Sequence, residues 1–299
     1  MKMRNRLMSF IVAAACVSGL VSAAAAQEKA TEVGASACAG CHAEQAESFK
    51  KSPHAKRMPA VKKIEFEKSC ESCHGAGSLH VAAGGDRSNA GFATIKKPEA
   101  MPAQEANAGC LSCHKSQRHL MLWGTSIHKE AGLACVKCHS VHKGVGKGNL
   151  VQESSELCFS CHKKERGEMQ LASHHPVIEG RMTCTGCHNV HGGVEGNMKA
   201  ESVEDTCLKC HAGKAGPFAR EHPPVIENCL ICHKPHGSVN ISMLKQAQPF
   251  LCLRCHKWPH VERSNGASAF DTFKFAERGR CTDCHREVHG SDRNAAFKK

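Results

Sequence analysis

Apolar residues are scattered thinly along this chain, and only one long apolar run breaks the polar background. It extends from Leu7 to Val21, preceded by Lys2, Arg4 and Arg6 and followed by Ala24-Ala25-Ala26 ahead of Gln27. A positive start, a short apolar stretch and small residues at its end predict a secretory leader over 1–26, with 27–299 as the mature domain. No later stretch approaches the eighteen or so consecutive apolar residues of a membrane-spanning helix. The remainder is strand-poor and predicts short helices at a recurring cysteine motif, loops between them and essentially no sheet. The Gly-, Ala- and Pro-rich stretch from Gly75 to Gly109 holds no cysteine before Cys110 and reads as one long loop.

That motif recurs ten times: two cysteines three apart with a histidine directly after. The pairs are Cys38 and Cys41, Cys70 and Cys73, Cys110 and Cys113, Cys135 and Cys138, Cys158 and Cys161, Cys184 and Cys187, Cys207 and Cys210, Cys229 and Cys232, Cys252 and Cys255, and Cys281 and Cys284. They account for twenty of the twenty-one cysteines. C-x-x-C-H is the attachment pattern of c-type haem: two thiols take up the two vinyl groups, and the next residue brings an imidazole to the iron. A zinc ribbon needs four ligands per metal and gives no reason for a histidine after every second cysteine. A thioredoxin-like pair occurs once, in a βαβ setting. The leftover Cys16 lies inside the leader, and Ala13 rather than leucine stands three before it, which disfavours a lipid anchor.

Composition changes meaning once ten haems are counted. The formal charge is +12, and removing the three leader cations leaves +9. Ten ferric porphyrin cores and twenty propionates then bring the oxidised protein to about −1, so the lysines and arginines read as propionate partners or solvated surface. Nucleic acid is not an expected partner. The mature chain offers roughly 27 residues per haem, with no Tyr and two Trp, too little for an ordinary core. The porphyrins themselves must form the core, close to one another.

Of twenty-two histidines, ten belong to the motifs: His42, His74, His114, His139, His162, His188, His211, His233, His256 and His285. Ten more fall in register. His54, His128, His175, His222 and His260 follow the odd-numbered motifs; His80, His142, His191, His236 and His289 follow the even ones closely. Each is expected as a sixth ligand to one iron. His174 competes with His175, which is preferred because His175-Pro176-Val177 resembles His222-Pro223-Pro224-Val225. His119 is surplus and expected to face solvent or a propionate. The separations His139 to Cys158, His188 to Cys207 and His233 to Cys252 are nineteen residues each. They predict an elongated haem chain of five two-haem repeats near 38–80, 110–142, 158–191, 207–236 and 252–289. A histidine three residues after a motif histidine cannot reach the opposite face of the same porphyrin, so His142, His191 and His236 must serve neighbouring haems.

An iron with two histidines moves electrons but offers substrate no open position, so a non-enzymatic electron carrier is expected, with no catalytic residues. Met169, Met182 and Met198 are not needed as ligands. Ten such motifs after a leader, with C-H-x-x-H junctions, resemble the MtrA/DmsE-type decahaem cytochromes over the whole mature chain. The resemblance implies a periplasmic protein associated with the outer membrane, inserted in a β-barrel porin of the MtrB type. It also implies electron exchange with periplasmic or inner-membrane cytochromes on one side and an extracellular multihaem cytochrome or terminal reductase on the other. A soluble periplasmic shuttle donating to a partner reductase, and a multihaem reductase with a five-coordinate iron, remain as alternatives.

Overall fold

The computed structural model describes residues 29–257 and 279–298; the expected leader and His260 lie outside the described residues. The chain folds as short helices joined by turns. In order these are α1 (Ala35–Ala39), α2 (Ala43–Lys51), α3 (Pro53–Lys62), α4 (Phe66–Ser69), α5 (Glu71–His74), α6 (Ser78–Ala82) and α7 (Ala103–His114). They continue with α8 (Ile127–Glu130), α9 (Ser154–Phe159), α10 (Lys163–Glu168), α11 (Cys184–Cys187), α12 (Val203–Leu208) and α13 (Pro223–Glu227). No helix among the described residues is long and apolar enough to cross a membrane.

Each cysteine motif is itself a helical turn. The motif histidine N–H donates to the carbonyl of the first cysteine at nine motifs, at 2.8–3.0 Å, from His42 to Cys38 through His285 to Cys281. The tenth, Cys110 to His114, is the last turn of α7. One such turn puts residues i, i+3 and i+4 on one face. Both thiols and the imidazole therefore look the same way wherever the motif occurs.

The apolar core is small, as the composition requires. Five of the eleven buried apolar residues described are alanines, and the one cluster among them is Phe159, Met169 and Val177, with Met182 and Cys184 against it. Met169 thus packs as core. One two-stranded sheet is present, slightly more than expected. Its strands β1 (Ser173–His174) and β2 (Gly237–Ser238) run antiparallel, with Ser173 opposite Ser238 and His174 opposite Gly237.

The expected long loop from Gly75 to Gly109 is corrected: it contains α6, a 3-10 turn at Ala90–Thr94 and the start of α7. Local chemistry explains this. The Asn89 side chain caps the 3-10 turn by accepting from the Gly91 amide at 2.8 Å, and Pro102 precedes an alanine-rich α7 with Glu105 in its first turn. A sequence rich in Gly and Pro still formed helices because its alanines and caps lie between the breakers.

Glu71, inside the second motif, ties the N-terminal segment down. Its carboxylate accepts from the amides of Val33 (2.9 Å), Gly34 (3.0 Å) and Gly77 (2.8 Å) and is buried. Burial pushes its pKa up, but the three amide donors together outweigh this and the net shift is downward. The tie is therefore complete above the ordinary carboxylate range and is lost as pH falls through the depressed pKa. Glu71→Ala is expected to loosen this segment by about 3 kcal/mol, read as amide exchange at Val33 and Gly34 accelerated by about two orders of magnitude at pH 7; unchanged exchange would refute the anchor.

Candidate haem sites

Thiols from successive motifs meet in two alternating ways. The first cysteines pair between motifs one and two, three and four, five and six, seven and eight, and nine and ten: Cys38 with Cys70, Cys110 with Cys135, Cys158 with Cys184, Cys207 with Cys229, Cys252 with Cys281. The second cysteines face across to the following motif: Cys73 to Cys113, Cys138 to Cys161, Cys187 to Cys210, Cys232 to Cys255. A hydrogen bond between Cys110 and Cys135 raises the former thiol and lowers the latter to about 7, and Cys158 and Cys184 divide in the same way.

The imidazoles also meet in pairs, each joining one motif histidine to one histidine outside the motifs. The pairs are His42–His80 (6.3 Å between ring centres), His74–His142 (6.2 Å), His114–His54 (5.8 Å), His139–His191 (5.9 Å) and His162–His128 (6.1 Å). They continue with His188–His236 (6.1 Å), His211–His175 (6.2 Å), His233–His289 (6.2 Å) and His256–His222 (6.0 Å). This separation is too wide for direct stacking and suits a metal between the rings. An imidazole nitrogen holds a first-row metal at about 2.0–2.1 Å, so two rings trans across one ion have centres roughly 6.3 Å apart. Among the described residues no group of three or more His, Cys, Asp or Glu could hold a bare ion. Each imidazole pair would hold a haem iron, and the two thiols of its motif, one turn away, would attach the porphyrin. The residues fit haem c.

At many of the pairs a ring nitrogen away from the gap is held by a backbone carbonyl. His74 Nδ1 pairs with the Lys96 carbonyl (2.7 Å), His139 with Gly148 (2.6 Å), His188 with Gly196 (3.0 Å) and His233 with Ser242 (2.8 Å). Among the outer histidines, His80 faces the Phe92 carbonyl (2.9 Å), His128 that of Val190 (2.9 Å), His175 that of Pro235 (2.6 Å) and His222 that of Val288 (2.9 Å). Such bonds make Nδ1 the donor and leave Nε2 for metal. Burial above all pushes His191 and His289 down to about 4, with His139 and Lys214 respectively adding to it, so both stay neutral as ligands must.

His174 stands apart. Its Nε2 pairs with Glu179 at 2.8 Å, whereas His175 faces His211. His119 is exposed, its ring 5.4 Å from that of His191. His285 Nδ1 pairs with the Ala296 carbonyl, and His260, expected as a sixth ligand to one iron, is outside the described residues.

One set of residues was missed from the sequence. In three repeats the outer histidine is followed directly by glycine: His191-Gly192, His236-Gly237 and His289-Gly290. At each, a Cβ would run into the preceding repeat: the Leu122 carbonyl, the Glu168 carbonyl and the Phe218 ring. Gly192 and Gly290 also have φ of +119° and +144°, which side chains resist. The signal was there as a repeated H-G dipeptide. Gly192→Ala is expected to cost about 2–4 kcal/mol through overpacking and strain, with Gly124→Ala, which meets nothing within 4 Å, nearly neutral. Equal denaturant midpoints for the two variants would contradict the close approach.

Comparison with known proteins agrees with this geometry. The doubled C-x-x-C-H motif family matches residues 128–167, 174–216 and 222–260. Each segment contains two motifs. Residues 70–147 match the NrfB-like c-type cytochrome family, and 37–69 match the cytochrome c554 and c-prime family. The chain is 36% identical over 200 residues to the multiheme cytochrome MtrA of Shewanella baltica (strain OS185). That alignment covers 65% of this chain and 58% of the relative, so the likeness spans little more than half the relative's length. Motifs, imidazole pairs and matched families agree on a multihaem c-type cytochrome with covalently bound haem, similar to MtrA over 65% of this chain.

Proposed function

We propose that the chain carries ten haems, each held by the two cysteines and histidine of one motif and by one histidine from elsewhere, and that it works as an electron carrier rather than a reductase. The observation that carries this reading is the set of nine facing imidazole pairs among the described residues; for the tenth motif histidine, His285, the sequence leaves His260 as the remaining candidate ligand. Haem iron supplies a reversible one-electron couple when bound. Everything else is the work of the chain's own residues. Two imidazoles saturate each iron, which disfavours substrate binding.

The outer histidines knit the repeats together in a regular order. His54, His128, His175 and His222 each reach forward to the motif two along, at His114, His162, His211 and His256. His142, His191, His236 and His289 reach back by two, to His74, His139, His188 and His233. Among the described outer histidines only His80 serves its immediate neighbourhood, at the first motif. Ties that join adjacent repeats and no others favour a single file over a ball. With the likeness to MtrA, this supports a periplasmic component of a trans-outer-membrane electron conduit, seated in a β-barrel porin and exchanging electrons with cytochromes on either side. Isolation of the native protein from outer membranes in mild detergent tests this: the reading requires a stoichiometric β-barrel partner, and recovery as a lone periplasmic cytochrome would overturn the conduit and favour a shuttle.

A further inference from the structure

The three H-G junctions repeat one another in geometry but not in what they face. Gly192 packs on Leu122 and Gly290 on Phe218, both apolar; Gly237 packs on Glu168. This substitution places a carboxylate where its repeats have none. Glu168 Oε2 lies 3.5 Å from Nδ1 of His236. The other outer histidines with an Nδ1 partner described above pair with neutral backbone carbonyls, and His54 Nδ1 is buried with no partner at all. The contact is built rather than incidental. Glu168 is the last residue of α10, held against β2 because Gly237 lacks a Cβ, and the adjoining β1–β2 ladder fixes both segments. Its side chain is 23% exposed. Lys164 Nζ lies 4.0 Å from the other carboxylate oxygen but is 79% exposed, so water screens most of its charge.

We propose that Glu168 is a positioning and tuning residue for the haem held by His188 and His236, where its carboxylate draws on the Nδ1 proton of His236 and lowers that haem's potential. The inference rests on the ligation reading above. A carboxylate behind a metal-bound imidazole makes the ring a stronger donor, and its negative charge favours the ferric state. Both effects act in the same direction. The neighbouring repeat carries the opposite sign, since Lys214 is a source of positive charge at His289. Glu165 adds negative charge at His236 and also lies 3.7 Å from Nδ1 of His162, so the contribution of Glu168 is the part specific to the His236 ring.

The test is potentiometric titration of the purified holoprotein followed by electron paramagnetic resonance, comparing wild type with Glu168→Gln. Removing the charge while keeping the shape is expected to move one haem upward by about tenfold in its redox equilibrium, which is about 59 mV for a one-electron couple, with every haem still low-spin. Glu156→Gln removes an exposed carboxylate paired with Arg166 on the neighbouring helix and is expected to leave the titration unchanged. A Glu168→Gln titration that overlays wild type, or a shift of equal size in Glu156→Gln, overturns the proposal. His236→Ala separates the two levels: it should convert one haem to high spin. If it does not, the ligation reading falls and the tuning with it; if it does and Glu168→Gln still overlays wild type, only the tuning falls.

Discussion

His175→Ala is expected to turn one haem in ten from low-spin to high-spin, while His174→Ala leaves all ten low-spin. The two histidines are adjacent and their rings do different work. His175 faces His211 with ring centres 6.2 Å apart, and its Nδ1 is fixed by the Pro235 carbonyl at 2.6 Å. His174 is engaged by Glu179, whose carboxylate hydrogen bond raises the His174 pKa above its usual value, and it packs in the β1–β2 ladder. Loss of the His175 imidazole opens one axial position, so about a tenth of the haem should gain carbon monoxide binding after reduction. It also cuts a tie between the third and fourth repeats, so early local unfolding there should accompany the spectral change. Carbon monoxide binding in the His174 variant and none in the His175 variant would reverse the assignment.

The chain made without haem attachment is expected to show no cooperative unfolding transition in urea and to be cleaved rapidly by protease. Its apolar core consists largely of isolated alanines and one cluster, Phe159, Met169 and Val177. A core of that size does not order a chain of this length. On the proposed ligation the haem irons would close the structure instead, and binding free energy at such sites is folding free energy. The double change Cys158→Ala, Cys161→Ala localises the effect, because that motif borders the only such cluster among the described residues. Loss of one haem with protection lost around Phe159 to Met182 is the expected pattern. A cooperative, protease-resistant haem-free chain would contradict it.

Much of the site was legible because its chemistry is written locally. A C-x-x-C-H turn needs only five residues to bring two thiols and an imidazole to one face, so the motifs announced themselves. The outer histidines were legible by register, since the nineteen-residue spacing repeats. What the sequence did not carry was which histidine meets which, because His54 and His142 reach past an intervening motif. Glu71 and Glu168 were equally silent. Their roles depend on segments some 37 and 69 residues away in the chain, Gly34 and Gly237, which no local pattern links. The helices of the Gly75–Gly109 stretch were missed for another reason: its glycines and prolines mask the Asn89 cap and the alanine-rich run after Pro102.

An electron carrier of the proposed kind requires ten irons that each have two histidine ligands. Haem content per chain by pyridine haemochrome, combined with near-infrared magnetic circular dichroism of the oxidised protein, measures both at once. Ten haems, all with the bis-histidine charge-transfer band and no high-spin component, are the predicted result. Fewer than ten haems, a His/Met band, or a high-spin signal in the native protein would contradict it, and the last would reopen the case for a reductase.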